Sequence, residues 1–511
     1  MRTRYTLINL AYTLGSSLVM LLLGLITRRL FVINFGDFIP GTVSVVEKLF
    51  SFFSIAEFGV GSVISYHLYE QIAAKDTRKT CLYMSLYKWA YRCIGLAVTA
   101  IALVCALFLP VFITENGQAG ADMGIAYTIY FLNLLSTLST YFLVTRRLMY
   151  TCTQRGFVCT RIDLAFSICT YLVRIAIALV IPNYILYCGV AILFNTLANV
   201  VIARQYRKDF PEMQDVKVSW ADFKELGLFR DLKYYLVHRL SNAVYGTSDS
   251  LVTSMVLGTS AVTPMANYTT LADSATNIGY KITDSFAAAI GNIVYDKNAQ
   301  ANDHGREVFW GMDLFAYGFG SFMAVAYFCL FQPFIRLWMG ESYLLSTGFV
   351  LMFCLNEYVG WNHKMLGSYR SVLSRFEQDQ WFMVASGTVN LLLSFLLIRP
   401  YGFAGVVGAT VVAHSIMWAG RVKVVFRFYM PGYLGHYLAM QGAHLVTLAA
   451  ALFLTARLCA PLPQTIPGLI GRGLIVCILP NLINLVCYGW TRDAAYLRGW
   501  AGRLLSRFKN K

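Results

Sequence analysis

Charged and polar side chains recur at helical spacing inside two otherwise apolar segments near the middle of the chain. The first set comprises Arg239, Asn242, Gly246, Asp249 and Thr253, and the second comprises Thr270, Asp273, Asn277, Lys281 and Asp284. Steps of three and four residues place each set on one face of a helix. The two stripes predict one wall of an aqueous cavity, with Lys281 and Asp284 close enough to pair.

Further charges lie inside other apolar segments. The candidates for substrate binding are the basic residues Arg239, Lys281, Arg174, Lys88 and Arg92. The candidates for orienting these groups or binding a coupling cation are Asp249, Asp273, Asp284, Glu57, Glu47, Asn242 and Asn277. A charge in hydrocarbon costs several kcal/mol, so these side chains are expected to face a wet cavity or one another.

An excess of basic groups in such a cavity suits an anionic substrate. Arg in particular binds phosphate or pyrophosphate through paired hydrogen bonds. The alternative is that some of these charges are structural ion pairs or lysines that reach the membrane interface, as for Lys48, Lys88 and Lys364. His363, His414 and His444 are isolated in the sequence and are interpreted as packing residues rather than proton relays.

The elements that hold these residues are predicted to be membrane-spanning helices. Apolar residues make up 57% of the 511 residues and charged residues only 13%, against about 25% charged residues in soluble domains. Stretches such as 7–27, 93–114, 314–335 and 473–491 contain no charged residue. About 20 such residues span a bilayer as a helix. The prediction is an all-α membrane protein with about fourteen spans.

Basic residues are concentrated in every second connecting loop. The remaining segment ends carry only Arg28, Arg29, Arg336, Arg399, Arg457 and Arg472, and are predicted to face outward. Cytoplasmic loops retain Lys and Arg, so both termini are predicted to be cytoplasmic. The formal net charge of +16 is therefore interpreted as topology and contact with anionic lipid, not as nucleic-acid binding.

The loops also predict the domain organisation. Residues 1–205 are predicted to form a first bundle of six helices, 206–233 a cytoplasmic linker with an interfacial helix at 219–226, and 234–427 a second bundle of six. Two further helices over 428–491 and a basic amphipathic tail over 492–511 complete the chain. The first segment is predicted to be a retained helix rather than a cleaved signal. The twelve cysteines show no CxxC spacing, so no metal site or disulfide framework is expected.

Three segments resemble the polysaccharide-biosynthesis flippases (Wzx-like) of the multidrug/oligosaccharidyl-lipid/polysaccharide (MOP) exporter superfamily. Residues 56–62 with 69 and 74–76 resemble that family's second span and first loop, and 248–252 with 256–262 and 266–268 resemble its seventh span and the following turn. Residues 287–293 resemble the end of its eighth helix. Glu57 and Asp249 fall within the matched segments, whereas Arg239 and Lys281 come only from the stripe pattern.

The resemblance implies two helical bundles in a V-shaped, MATE-like arrangement that opens alternately to either side of a bacterial cytoplasmic membrane. The implied substrate is an undecaprenyl-pyrophosphate-linked oligosaccharide moved from the inner to the outer leaflet. A polysaccharide polymerase or glycosyltransferase is an implied partner. No cofactor is expected, and a coupling ion would be Na⁺ or H⁺.

Two other functions fit the sequence less well. A cation- or proton-coupled small-molecule antiporter of the same superfamily would use Glu47, Glu57 or Asp249, but the many intramembrane basic residues count against it. An integral-membrane glycan polymerase or acyltransferase would be expected to carry a large outer loop or a reactive His or carboxylate pair, and the sequence shows neither. A transporter rather than an enzyme is therefore predicted.

Overall fold

The computed structural model describes residues 2–54, 60–115, 122–218, 228–295, 303–373 and 376–509. Those ranges are built from helices connected by short turns, with no strand among them. We number the long helices in chain order and name the short ones by their residues.

The chain forms two compact units, residues 1–266 and 267–511. The first contains α1 (Arg2–Phe35), α2 (Phe38–Phe53), α3 (Val60–Ala74), α4 (Thr77–Ala106), α5 (Met123–Leu143), α6 (Phe157–Val180), α7 (Tyr184–Asp209) and α8 (Leu228–Leu257). Helix α9 (Val262–Tyr295) begins in the first unit and continues into the second.

The second unit continues with α10 (Asp303–Trp338), α11 (Thr347–Val372), α12 (Phe376–Tyr401), α13 (Phe403–Phe428), α14 (Leu434–Cys459), α15 (Ile466–Tyr488) and α16 (Arg492–Lys509). Short helices lie at Leu109–Phe112, Arg147–Cys152, Thr259–Ala261 and Glu341–Tyr343.

In the described ranges, ten helical segments are long and apolar enough to cross a membrane. Helices α8, α9 and α11 are also long enough, with 30, 34 and 26 residues, but they carry the polar positions noted in the sequence. The shorter α2 and α3 follow one another along one predicted span. The all-α membrane class is confirmed, and the apolar helices indicate a multi-pass membrane protein.

Polar side chains fix where several helices of the first unit begin. Asp76 accepts a hydrogen bond from the Lys79 amide at the start of α4, and Asn183 accepts from two amides at the start of α7. These caps satisfy backbone donors that have no partner within the helix. Helix α4 then buries Val98 and Ala102 while it exposes Leu96 and Leu103, so its outer face suits contact with lipid.

The second unit has an aromatic core at one end of its helices. Phe309 packs edge-on against Tyr369 and Phe426, with ring centroids 5.2 and 5.7 Å apart. Tyr437 of α14 lies against Phe426 at 4.8 Å and is fully buried. This cluster ties α10, α11, α13 and α14 together.

Residues 210–218 of the predicted linker run along α4 without forming a helix, whereas 206–209 belong to the end of α7 and 228–233 to the start of α8. The Ser85 hydroxyl accepts a hydrogen bond from the Val216 amide, and Lys88 pairs with Asp215. The interfacial helix predicted at 219–226 lies outside the described residues, which end at 218 and resume at 228. The boundary between the compact units falls after α8, which packs on α2; the predicted domain limits remain a prediction.

The C-terminal tail is helical, as its pattern predicts. Helix α16 packs against α10, where the Tyr496 ring lies over Gly311. A Cβ atom at position 311 would lie 2.5 Å from that ring, so glycine is needed for this close packing.

Gly41 allows α2 to approach the turn at Thr259–Ala261 closely. A Cβ at position 41 would overlap the Thr259 carbonyl oxygen, a backbone atom that has no rotamer to yield. We expect Gly41→Ala to destabilise the protein by about 1 to 3 kcal/mol, the range for overpacking. Thermal unfolding in detergent measures this. Gly189→Ala is the control, because a Cβ at position 189 of α7 meets nothing within 4 Å; equal melting of the two variants would contradict the packing.

Candidate functional site

A cluster of basic residues surrounds a carboxylate within the first unit. Arg28 of α1, Lys48 of α2 and Arg174 of α6 all lie close enough to Glu47 to act on its charge. The Glu47 side chain is exposed, although its neighbours Val46 and Leu49 are packed in the core. Among the described residues, three basic groups lie near this one carboxylate, so positive charge is in excess there.

Arg28 lies further from the end of its helix than its position in the sequence indicates. It is predicted as an outward-facing segment end, but α1 continues to Phe35, and the candidate span covers Gly15–Phe35. The apolar residues after Arg29 extend the helix, so both arginines lie within it. Arg28 is half-buried and Arg29 is exposed.

Arg174 has no charged neighbour in sequence, but the structure gives it a fixed position. Its Nε donates a hydrogen bond to the Tyr187 carbonyl oxygen at 3.0 Å, and its guanidinium lies 4.6 Å from the centre of the Tyr187 ring. The Tyr187 ring stacks on Phe31 at 4.4 Å, and its hydroxyl donates to the Thr27 carbonyl. The cation–π contact and the carbonyl orient the guanidinium and tie α6 to α7 and α1.

Arg174 also lines a polar pocket of about 210 Å³ between α6 and α7. The polar side chains of its wall are Asp163, Ser167, Thr170, Tyr171, Arg174 and Asn195. Within the described part of the chain, the terminal nitrogens of Arg174 have no hydrogen-bond acceptor, because its contact with Tyr187 uses only Nε. These nitrogens are available to an anion, and the surrounding hydroxyls and amide can bind a polar group attached to it.

The Asp163 carboxylate of this pocket is already engaged. Arg147 donates to its two oxygens at 2.5 and 2.7 Å, and also donates to the Asn199 side-chain oxygen at 2.8 Å. Paired in this way, Asp163 does not compete for Arg174. The pocket therefore keeps the positive character that Arg174 gives it.

The predicted stripe on α8 lies on one continuous helix. Asp249 is half-buried next to the Ser248 hydroxyl, at 3.5 Å, and Gly246 is exposed. Thr253 is fully buried and donates to the Asp249 carbonyl, so this end of the stripe is packed rather than open. Arg239 and Asn242 lie on α8, but their side chains are outside the described part.

The predicted stripe on α9 is also helical throughout. Asp273 and Asn277 are exposed, and Thr276 between them donates to Glu357 of α11 at 3.1 Å. Asp273 lies near enough to Glu357 to act on its charge, which places two carboxylates together in the second unit. The side chains of Lys281 and Asp284 lie outside the described part, as does the whole of Glu57, so their roles remain predictions.

The two predicted basic candidates on α4 have different surroundings. Lys88 pairs with Asp215 at 2.5 Å and thereby holds the linker, which gives it a structural partner. Arg92, one turn further along α4, is exposed. Their proposed contact with substrate remains a prediction.

The three isolated histidines of the second unit are buried. His414 bonds to Asn356 at 2.7 Å, and Arg421 donates to the carbonyl oxygen of His363 at 2.7 Å. His444 stacks on Tyr317 with ring centroids 3.9 Å apart. These contacts fit the interpretation of the three residues as packing histidines.

Sequence reasoning missed the polar face of α6. Asp163, Ser167, Thr170 and Arg174 follow steps of four, three and four, the same signal that identifies the stripes on α8 and α9. The contribution of Arg28 was missed because an Arg pair near the end of an apolar run is typical of a helix end.

The arrangement of helices is shared with known transporters. The structure of the lipid II flippase MurJ in an inward closed conformation has a TM-score of 0.65 and 13% identity, over 94% of this chain and 99% of that protein. A Vibrio cholerae MATE transporter has a TM-score of 0.58 and 14% identity, over 84% of this chain and 98% of its own. A eukaryotic MATE transporter has a TM-score of 0.57 and 15% identity, over 83% and 96%.

By sequence, no protein-family model and no curated protein matches the chain. The structural comparisons show that the chain has the fold of the MOP and MATE type of transporter, with two helical bundles, as the resemblance implies. Identities of 13 to 15% establish the fold alone. The narrower Wzx-like assignment remains a prediction.

Removing Arg147 leaves Asp163 without its cation beside the pocket. We expect Arg147→Met to lower the free energy of unfolding by about 2 kcal/mol, since hydrogen bonds to charged groups contribute about 1.5 to 3 kcal/mol. The double variant Arg147→Met with Asp163→Asn restores part of this loss, because no charge is then left unpaired. Chemical unfolding in detergent measures both. Additive losses in the double variant would show that the two side chains do not interact.

Proposed function

We propose that this protein is a membrane transporter that flips a polyprenyl-pyrophosphate-linked oligosaccharide from the inner to the outer leaflet. The product would serve cell-surface polysaccharide synthesis. Transport would proceed by alternating access, with the saccharide and pyrophosphate in a wet, basic cavity and the polyprenyl tail in lipid. The proposed location is a bacterial cytoplasmic membrane with both termini inside.

The observation that carries the proposal is the excess of basic charge within an apolar helical bundle. Arg28, Lys48 and Arg174 lie near Glu47, and Arg174 also lines the polar pocket between α6 and α7. An anionic ligand would offset the cost of holding this positive charge within membrane-spanning helices. A pyrophosphate supplies the required negative charge, and its oxygens match the paired donors of arginine.

The likeness to a lipid II flippase supports a lipid-linked substrate, because it extends over 94% of the chain. The wall of the α6–α7 pocket adds the donors and acceptors that a saccharide needs, from Ser167, Thr170 and Asn195. A headgroup that passes through such a groove does not have to cross hydrocarbon.

The second candidate is a cation- or proton-coupled antiporter of small molecules. The likeness to MATE transporters, with TM-scores of 0.58 and 0.57, favours it. Glu47, or the pair of Asp273 and Glu357, would then bind Na⁺ or exchange a proton. The basic groups around Glu47 oppose cation binding there, which is why we place this candidate second. Neither candidate requires a catalytic residue or a cofactor. For the flippase, we propose a polysaccharide polymerase or glycosyltransferase as a partner.

Reconstitution in liposomes tests the proposal directly. A fluorescent polyprenyl-pyrophosphate oligosaccharide is placed in one leaflet, and its appearance in the other is followed by quenching. We expect protein-dependent translocation that falls about 30-fold in Arg174→Ala, because a charge-assisted contact of about 2 kcal/mol is lost. The translocation rate of Arg174→Lys is expected to lie between those of the wild type and Arg174→Ala, since lysine keeps the charge but not the fork geometry.

The same assay separates the remaining candidates. Arg28→Ala, Arg239→Ala and Lys281→Ala are each expected to slow translocation, whereas Arg399→Ala, which removes an exposed arginine at the end of α12, is the matched control. Thermal unfolding confirms that each variant is folded. Absence of translocation by the wild type, together with uptake of an organic cation driven by a Na⁺ or H⁺ gradient, would favour the antiporter.

A further inference from the structure

The second unit carries an apolar groove with basic residues at one end. It runs between α13 and α14 and has a volume of about 580 Å³. Trp418 and Val422 of α13 and Leu434 and Leu438 of α14 line its length. Lys423 and Arg427 lie at its end and are both exposed.

The floor of the groove is well defined. Tyr437 is fully buried beneath it and accepts a hydrogen bond from the Trp418 indole nitrogen at 2.8 Å. The bond fixes the indole across the groove and satisfies its N–H donor. The remaining lining is apolar, so it suits a hydrocarbon chain rather than a polar ligand.

The two basic groups lie one turn apart on α13, and Arg427 is in its last turn. The Lys423 ammonium lies 5.6 Å from the centre of the Phe382 ring, and neither residue is in an ion pair within the described part of the chain. Trp418 is about one turn further from the helix end than Lys423. The indole therefore lies next to the charged end of the groove, as tryptophan does at a membrane interface.

The sequence around the groove contains basic residues but no acidic ones. Residues 380–492, which include all of α13, α14 and α15, contain no Asp or Glu. No carboxylate on these helices can neutralise Lys423 or Arg427. A ligand with a negative headgroup and an apolar chain is complementary to the groove in both respects.

We propose that the α13–α14 groove is a binding site for an anionic phospholipid. Its phosphate contacts Lys423 and Arg427, and one acyl chain lies along Trp418, Leu434 and Leu438. The headgroup lies on the side that the charge pattern predicts to be cytoplasmic. The site is independent of the proposed transport function, since it requires only that the helices lie in a bilayer.

Lipid binding to the delipidated full-length protein tests the proposal. Native mass spectrometry with dioleoyl phosphatidylglycerol and dioleoyl phosphatidylcholine gives the two affinities. We expect about a 25-fold preference for phosphatidylglycerol, about fivefold for each basic residue. Lys423→Ala with Arg427→Ala reduces the preference to near one. Arg399→Ala with Arg457→Ala, which removes two exposed arginines from the ends of α12 and α14, leaves it unchanged.

Two further experiments test whether the lipid needs the groove rather than basic charge alone, and whether other phosphates bind at the same site. Ala419→Trp fills the groove while both charges remain, and is expected to abolish the bound phosphatidylglycerol. Inorganic phosphate is expected neither to raise the melting temperature nor to displace the lipid. The proposal is overturned if the Lys423 and Arg427 variant keeps its preference, if phosphate alone competes, or if a polyprenyl phosphate displaces phosphatidylglycerol at equal concentration.

Discussion

The cost of placing a charge in hydrocarbon constrains the described structure more than any other interaction. A charged side chain at the centre of a bilayer needs a partner or water. Glu47 of α2 lies near Arg28 of α1 and Arg174 of α6, so the charges require these three helices to be neighbours. Tyr187 then fixes Arg174 by its ring and its carbonyl. Of these three helices, α6 also forms the polar pocket, together with α7.

The first unit contains two kinds of charged group. Arg147 and Asp163 satisfy one another with two short hydrogen bonds, and Lys88 and Asp215 pair between α4 and the linker. Such pairs hold elements together and leave no charge for a ligand. Among the described residues around Glu47, by contrast, the basic groups outnumber the carboxylate. This excess is the physical basis for proposing an anionic substrate, and it does not depend on the likeness to any transporter.

The second unit also contains both a structural ion pair and basic residues on a stretch without carboxylates. Arg370 and Asp379 are both buried and pair at 3.3 Å, which connects α11 to α12. Lys423 and Arg427 lie at the end of a helix on a stretch without any carboxylate. The first pair is structural, whereas the second set requires an anion from outside the protein. A membrane supplies that anion as lipid headgroups.

Hydropathy alone predicts most of the fold, because the backbone polar groups of an apolar run in a membrane must be hydrogen-bonded within the segment, which a helix achieves. The site was less predictable. The partner of Arg174 is an aromatic ring and a backbone carbonyl, and neither forms a charge pattern in sequence. Arg28 resembles a helix end until α1 is seen to continue to Phe35. The polar face of α6 was visible in its spacing, so Asp163, Ser167 and Thr170 could have been identified from sequence.

The most direct measurement is an experimental structure with a short-chain polyprenyl-pyrophosphate saccharide bound. The phosphate groups should lie within hydrogen-bond distance of the terminal nitrogens of Arg174, with Arg28 or Lys48 as a second contact, and the saccharide should face Ser167, Thr170 or Asn195. Phosphate density at another location, with the pocket between α6 and α7 empty and Arg174 still stacked on Tyr187, would contradict the assignment of the anion site to this cluster.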